Sequence, residues 1–253
     1  MKKLIINADD FGQDDETVDC TIKGFEAGKL TSATIMAGMS ATARAVEYAK
    51  AHPQFSFGVH LCLVDEKAIS KPDDIPSMID PGTGRLWQTR QFILRNFMGM
   101  VSIDDIQREM SAQIDALKAA GLTIAHLDGH GHNHRLPQAL KALARVMADY
   151  GITKVRRCQD LFVGKPGLLS KMINGPMQKR MERAGMVMTD HFLMNAGKSM
   201  DVNWFRDAVD NLPEGVTEIG VHPGSAEDWR RVDCEGCYEY DFENIELTNF
   251  NKI

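Results

Sequence analysis

Residues 123–151 read Thr123-Ile-Ala-His126-Leu127-Asp128-Gly129-His130-Gly131-His132-Asn133-His134-Arg135-Leu136-Pro137, then Gln-Ala-Leu140-Lys-Ala-Leu143-Ala-Arg-Val-Met147-Ala-Asp-Tyr-Gly151. An apolar run at 123–127 gives way to a polar, histidine-rich loop. A helix follows, with Leu136, Leu140, Leu143 and Met147 at helical spacing, Pro137 in its first turn and Gly151 at its end. This is one strand–loop–helix unit.

The unit recurs outward along the chain. Ser102 and Asp105 form a capping-box pattern ahead of Ile103, Ile106, Met110, Ile114 and Leu117, closed by Gly121. Strand-like runs fall at 3–8, 33–36, 56–61, 123–127, 154–156, 187–189 and 217–222. Strands alternating with helices over the whole length predict an α/β chain whose sheet is mostly parallel. About seven strands with helices outside favour a (β/α) barrel-like fold, closed or nearly closed, over an open doubly wound sheet. The 253 residues carry no internal repeat or low-complexity linker and suit one domain over 1–253. The stretch 70–85, with Pro72, Pro76, Pro81, Gly82 and Gly84, reads as a long excursion of the kind that serves as a lid.

Composition narrows the partners. Hydrophobic residues at 43% and charged residues at 25% exclude wholesale disorder. A net charge of −6 with no basic block speaks against nucleic acid and anionic membrane. No apolar run approaches the ~20 residues that span a bilayer, and the one after Lys2-Lys3 is too short for a signal peptide's core of ~7–15. Five scattered cysteines (Cys20, Cys62, Cys158, Cys234, Cys237) suit reduced thiols in a cytoplasm. Cys234-Glu-Gly-Cys237 has the spacing of half a zinc site, with no second pair to complete it.

In such folds chemistry sits where strands end. Those ends read Asn7-Ala8-Asp9-Asp10-Phe11-Gly12, Gly58-Val59-His60-Leu61, the His126–His134 run, Arg156-Arg157, Thr189-Asp190-His191 and Gly220-Val221-His222-Pro223-Gly224. Four of the chain's 8 histidines lie within 126–134. Imidazole mixed with carboxylate suits Zn, Fe, Mn, Co or Ni, whereas Mg and Ca prefer oxygen alone. Taken singly, each group has a plain structural reading. The histidine run suits a solvated turn, Asp9-Asp10 suits a helix N-terminus (a role Asp14 and Asp15 already fill), and His60 and His222 suit the core. Four strand ends bearing such groups together favour a metal centre. A catalytic divalent ion keeps about three protein ligands and open positions. Adjacent aspartates on a strand end point apart, so one can ligate while the other faces water as a base. A separate histidine can then protonate a leaving group, which completes the equipment of metal-assisted hydrolysis.

Asn-Ala-Asp-Asp-Phe-Gly, Gly-Val-His-Leu, the His-x-Asp-x-His-x-His run and His-Pro-Gly, in this order between residues 5 and 224, resemble the YdjC-like carbohydrate deacetylases, which include chitooligosaccharide deacetylases. The resemblance implies a barrel-like fold and a divalent metal ion, Zn or Mg first and Co or Mn also compatible, held by Asp10, His60 and His130. It implies Asp9 as the general base for the attacking water and His222 as the acid that protonates the departing amine. The substrate implied is an N-acetylated sugar, cleaved to free amine and acetate, and the resemblance suggests a homodimer. Around these, His126, Asp128, His132 and His134 are expected to support the ligands or touch substrate, with Asp128 orienting a ligating imidazole. Arg156 or Arg157 is expected to clamp a substrate hydroxyl or carboxylate, or else to form a surface salt bridge. Segment 230–249 does not read as the Arg-containing helix and last strand that such proteins carry. Rival readings are a phosphoesterase or amidohydrolase, whose first strand would carry His-x-His instead of Asp9-Asp10, and a noncatalytic metal- or sugar-binding protein, which would need neither Asp9 nor His222.

Overall fold

A computed structural model of the chain describes residues 1–162, 168–195, 201–224, 227–242 and 245–253. In chain order the elements are β1 (Lys2–Phe11), α1 (Asp15–Glu26), β2 (Ser32–Ile35), α2 (Thr42–Ala51) and β3 (Ser56–Leu61). The excursion at 70–85 folds partly into an antiparallel hairpin of β4 (Ile79–Asp80) and β5 (Arg85–Leu86). After it come α3 (Thr89–Phe97), α4 (Ile103–Ala119), β6 (Leu127–Gly129), α5 (Pro137–Tyr150) and α6 (Leu168–Arg183). The remainder is β7 (His191–Met194), α7 (Trp204–Asp210), β8 (Gly215–Val221), α8 (Asp228–Glu239) and β9 (Glu246–Leu247).

The main sheet runs β6-β3-β2-β1-β8-β7, all pairs parallel, with β9 beside the start of β1. It is a barrel-like α/β fold. Between β6 and β7 the shell continues through single parallel bridges, Leu127 to Val155 and Lys154 to Val187. The runs expected at 154–156 and 187–189 therefore contribute bridges instead of full strands. The run at 123–127 begins regular pairing only at Leu127, although Ala125 N already donates to Phe57 O and Val59 N to His126 O.

Local signals explain the helices. Ser102 accepts from Asp105 N at the start of α4, Asp14 caps α1 by accepting from Thr17 N, and Gly151 ends α5 at φ 66, where a side chain would be strained. β1 is buried from Leu4 onward, as a central parallel strand covered on both faces should be. Its Leu4, Ile6 and Ala8 join the core packed by the helices. The alternate residues Asn7 and Asp9 share the opposite face and meet other polar side chains.

The segment 230–249 corrects the expectation from sequence. Arg230 and Arg231 lie on α8, and Glu246–Leu247 pairs with Lys3 and Leu4 as a short last strand. Beyond it Phe250 is fully buried. Its N–H donates to Ser56 Oγ (3.1 Å), and its ring stacks on His126 at 3.7 Å and 11°. These partners lie at strand beginnings, so the C-terminal residues pack against the end of the shell opposite the functional loops. The five cysteines are free thiols. Among the described residues no helix is long and apolar enough to cross a membrane.

Candidate active site

The end of β1 decides the geometry. Its register against β2 shifts between Ala8 and Phe11, and Asp10 takes φ 60, a left-handed conformation that aspartate tolerates better than most residues. This irregularity undoes the alternation expected of a strand. Asp9 and Asp10 do not point apart; both carboxylates reach His60 and its neighbours.

Asp10 Oδ1 lies 2.9 Å from His130 Nδ1 and 3.3 Å from His60 Nε2, while its Oδ2 accepts from Arg230 Nη2 at 2.9 Å. His60 sits on β3. Its Nδ1 lies 2.7 Å from Asp128 Oδ1, which turns Nε2 toward Asp10. Thr34 Oγ1 donates to the other oxygen of Asp128 at 3.0 Å. His130 begins a tight turn in which Gly131 and His132 both have positive φ, 57 and 56.

Charge in this group is unbalanced toward the negative. Burial opposes a charged His60, yet Asp128, Asp10 and Asp9 outweigh it and lift the imidazole to about 10. Burial would also raise Asp10, but His130 and His60 hold its carboxyl well below the usual range. Asp10, His60 and His130 thus converge on a place that stabilises positive charge. Their separations match those between neighbouring ligands on an ion with bonds of about 2.1 Å. Two imidazoles and one carboxylate are a fitting donor set for a divalent ion, and Asp128 is the outer carboxylate that holds the His60 imidazole in place.

Asp9 is fixed from the other side. Arg156 Nη1 and Nη2 donate to its two oxygens at 2.6 and 2.7 Å, and Asn7 Nδ2 donates to Oδ1 at 2.9 Å. Burial would raise the Asp9 carboxyl, but the Arg156 guanidinium overrides it and keeps Asp9 ionised. Asp9 Oδ2 faces His222 Nε2 at 4.0 Å. The ring of His222 is held at Nδ1 by Asp233 Oδ2 (2.9 Å), which also accepts the His222 backbone N–H at 2.8 Å. Burial disfavours the charged ring, but the Asp233 hydrogen bond together with the charges of Asp233, Asp9 and Asp10 outweighs it, so the His222 pKa rises. Asp9, His60, His132, Met194, His222 and Trp229 line a cleft of about 320 Å³.

The remaining candidates divide. His132 lines the cleft with its Nε2 against Met194 Sδ. His126 does not reach it. Its ring is fully buried, stacked on Phe250, with no hydrogen-bond partner for either nitrogen among the described residues, and burial drives its pKa down to about 3. Gly58 makes room for it, since a Cβ there would come within 2.8 Å of its Nδ1. His134 is likewise buried, in space left by Gly129, with its pKa lowered to about 4 chiefly by burial. Neither lines the cleft: His126 lies just before β6, and His134 is buried in the turn that follows it. Arg156 is neither a substrate clamp nor a surface salt bridge. It is 0% exposed and bound to Asp9, Asp128 and Glu218. Arg157 turns away to donate to the backbone carbonyls of Thr189 and Asp190.

Sequence reasoning missed Glu218, Asp233 and Arg230. Glu218 carried a signal, since it precedes His222 by an even number of strand positions and so shares its face. Asp233 carried none, because only the packing of α8 brings it to His222.

The profile of the YdjC-like protein family matches residues 3–245. The chain is 30% identical over 223 residues to a carbohydrate deacetylase of Brevibacillus brevis, covering 87% of this chain and 81% of the relative. It is 26% identical over 233 residues to one from Thermoanaerobacter pseudethanolicus, covering 90% and 83%. A solved structure from Enterococcus faecalis V583, described as a cellobiose-phosphate cleavage protein, shares the fold at TM-score 0.80 and 23% identity, over 99% of this chain and 98% of that one.

Proposed function

The chain belongs to the YdjC-like family, and from that premise we propose that it is a carbohydrate deacetylase, hydrolysing the acetamide of an N-acetylated sugar to free amine and acetate. The observation that carries this reading is the pairing of Asp9 with His222 across the cleft, 4.0 Å apart, beside Asp10, His60 and His130.

Asp10, His60 and His130 would hold a divalent ion, Zn or Mg as first expectation and Co or Mn compatible, which would supply Lewis acidity for the acetyl carbonyl and the attacking water. Asp9, ionised and aimed by Arg156, accepts the proton of that water. His222, kept protonated by Asp233, donates from Nε2 to the amine nitrogen, without which the leaving group would be an amide anion. Met194 and Trp229 offer apolar surface in the cleft for the acetyl methyl and the sugar ring. The five free cysteines agree with a cytoplasmic setting.

The phosphoesterase alternative is disfavoured by the cation inventory. Arg156, the cation nearest Asp9, is fully buried and engaged by three carboxylates, so it is not free for a phosphate. A pure binding protein has no use for an acid pair such as His222 with Asp233. The test is acetate release from N-acetylglucosamine mono- and oligosaccharides, with chelator treatment and metal add-back. Release abolished by chelator and restored by one ion is the expected result. No release from any of these sugars by metal-loaded protein would sink the proposal.

A further inference from the structure

Arg156 is braced on two sides, and only one brace belongs to the reacting groups. Nη1 and Nη2 grip Asp9, and Nη1 also lies 2.9 Å from Asp128 Oδ2. On the opposite side Nε donates to Glu218 Oε1 at 2.7 Å. Glu218 stands on β8, is 0% exposed, and leaves Oε2 without a hydrogen-bond partner among the described residues. Burying a carboxyl in this way costs stability, and an apolar side chain would fill the same space without that cost. Packing alone therefore does not account for an acid at position 218.

Geometry does. A guanidinium is planar, so fixing its Nε–H fixes the direction of both Nη groups. Phe192 covers the face of Arg156 at 4.8 Å, but an apolar ring does not set rotation within the plane. The orientation of the Asp9 carboxylate toward His222 thus traces back through Arg156 to Glu218. We propose that Glu218 is a positioning residue for the hydrolytic reaction: it sets the plane of Arg156 and through it the aim of Asp9, without touching substrate. This rests on the deacetylase reading above.

Burial pushes the Glu218 carboxyl up to about 7 in spite of Arg156. Its neutral form keeps a carbonyl oxygen for the Nε–H. Glutamine, which offers the same oxygen, is therefore the informative replacement, and leucine is the variant that removes the acceptor while filling the volume.

The test compares Glu218→Leu and Glu218→Gln with the wild-type holoenzyme. Glu218→Leu is expected to lower kcat about 100-fold, the scale of a misplacement near 1 Å, with KM and bound metal little changed. Glu218→Gln should restore most of the loss. Wild-type kcat in the leucine variant, or an equal loss in both variants, overturns the proposal. If wild-type protein releases no acetate, the deacetylase reading fails by itself. The Arg156 Nε–H resonance in a proton–nitrogen spectrum of wild-type protein then decides this proposal, as it does if the leucine variant does not fold. Slow exchange with solvent, and a shifted resonance in Glu218→Gln, supports the brace. Exchange as fast as in free arginine overturns it.

Discussion

His60 and His126 are both buried almost completely, on adjacent strand segments of one sheet, and their protonation is driven in opposite directions. At His60 three aspartates overcome burial and lift the imidazole to about 10; at His126 burial prevails and lowers it to about 3. Depth does not separate them. Asp128 Oδ1 touches His60 at 2.7 Å, whereas the face of His126 lies on Phe250. The mouth of the shell is a carboxylate-lined place that favours a charged ring at His60, whereas the surroundings of His126, against Phe250, tolerate only a neutral ring. Sharing one histidine-rich motif, His130 and His126 end up in these two different surroundings.

Removing charge from the mouth should give the largest effects. Asp10→Asn is expected to lower bound metal and acetate release together, the latter by more than about 10³-fold; metal analysis beside the activity assay checks this. If Asp10→Asn kept its metal, Asp10 would not be a ligand. Asp9→Asn should cost about 10³-fold in kcat while leaving metal content intact, because it removes the base and not a ligand. A variant retaining most of its activity would assign the base elsewhere.

A smaller effect is expected at the rim. Asp233 raises the His222 pKa, and the proposed reaction needs the protonated ring. Activity therefore falls as pH rises through that raised value. Asp233→Asn should move the alkaline limb of the kcat–pH profile toward the ordinary imidazole value near 6.5, costing about tenfold above that pH and little below it. An unmoved limb would remove His222 as the acid.

The smallest effect on activity belongs to His126. His126→Leu should change kcat by no more than about twofold, since the ring does not reach the cleft. Stability supplies the contrast. The folded pKa of His126 is depressed, so the stability that comes from its neutral ring is present above the unfolded value of 6.5 and is lost as pH falls toward about 3. Urea midpoints at neutral pH and near pH 4.5 should therefore drop less in His126→Leu than in wild type. An equal drop would place the acid sensitivity elsewhere.

Much of this was legible in the chain. Alternating strand and helix runs, Ser102 at its helix start and Gly151 at another's end follow from local rules, and the structure keeps them. The strand ends carrying Asp9, Asp10, His60 and His222 were visible because polar residues there stand out against apolar runs. What was hidden depends on packing between distant segments. The bulge at Asp10 breaks the alternation that made its carboxylate and that of Asp9 look divergent. The fate of His126 depends on Phe250, more than a hundred residues away, and the role of Arg156 depends on three strands meeting around it. The runs at 154–156 and 187–189 read as strands although they make only single bridges, and β9 escaped notice because two paired residues leave no period to read.

At Asp10 the backbone and the side chain make separate demands. A φ of 60 admits glycine, asparagine and aspartate at low cost and penalises other residues. The proposed ligation asks for a carboxylate. Glutamate, the usual way to keep a negative charge, meets only the second demand; glycine and asparagine meet only the first. Genetic drift therefore has no neutral step away from this residue, and a directed library at position 10 should return aspartate alone among functional clones.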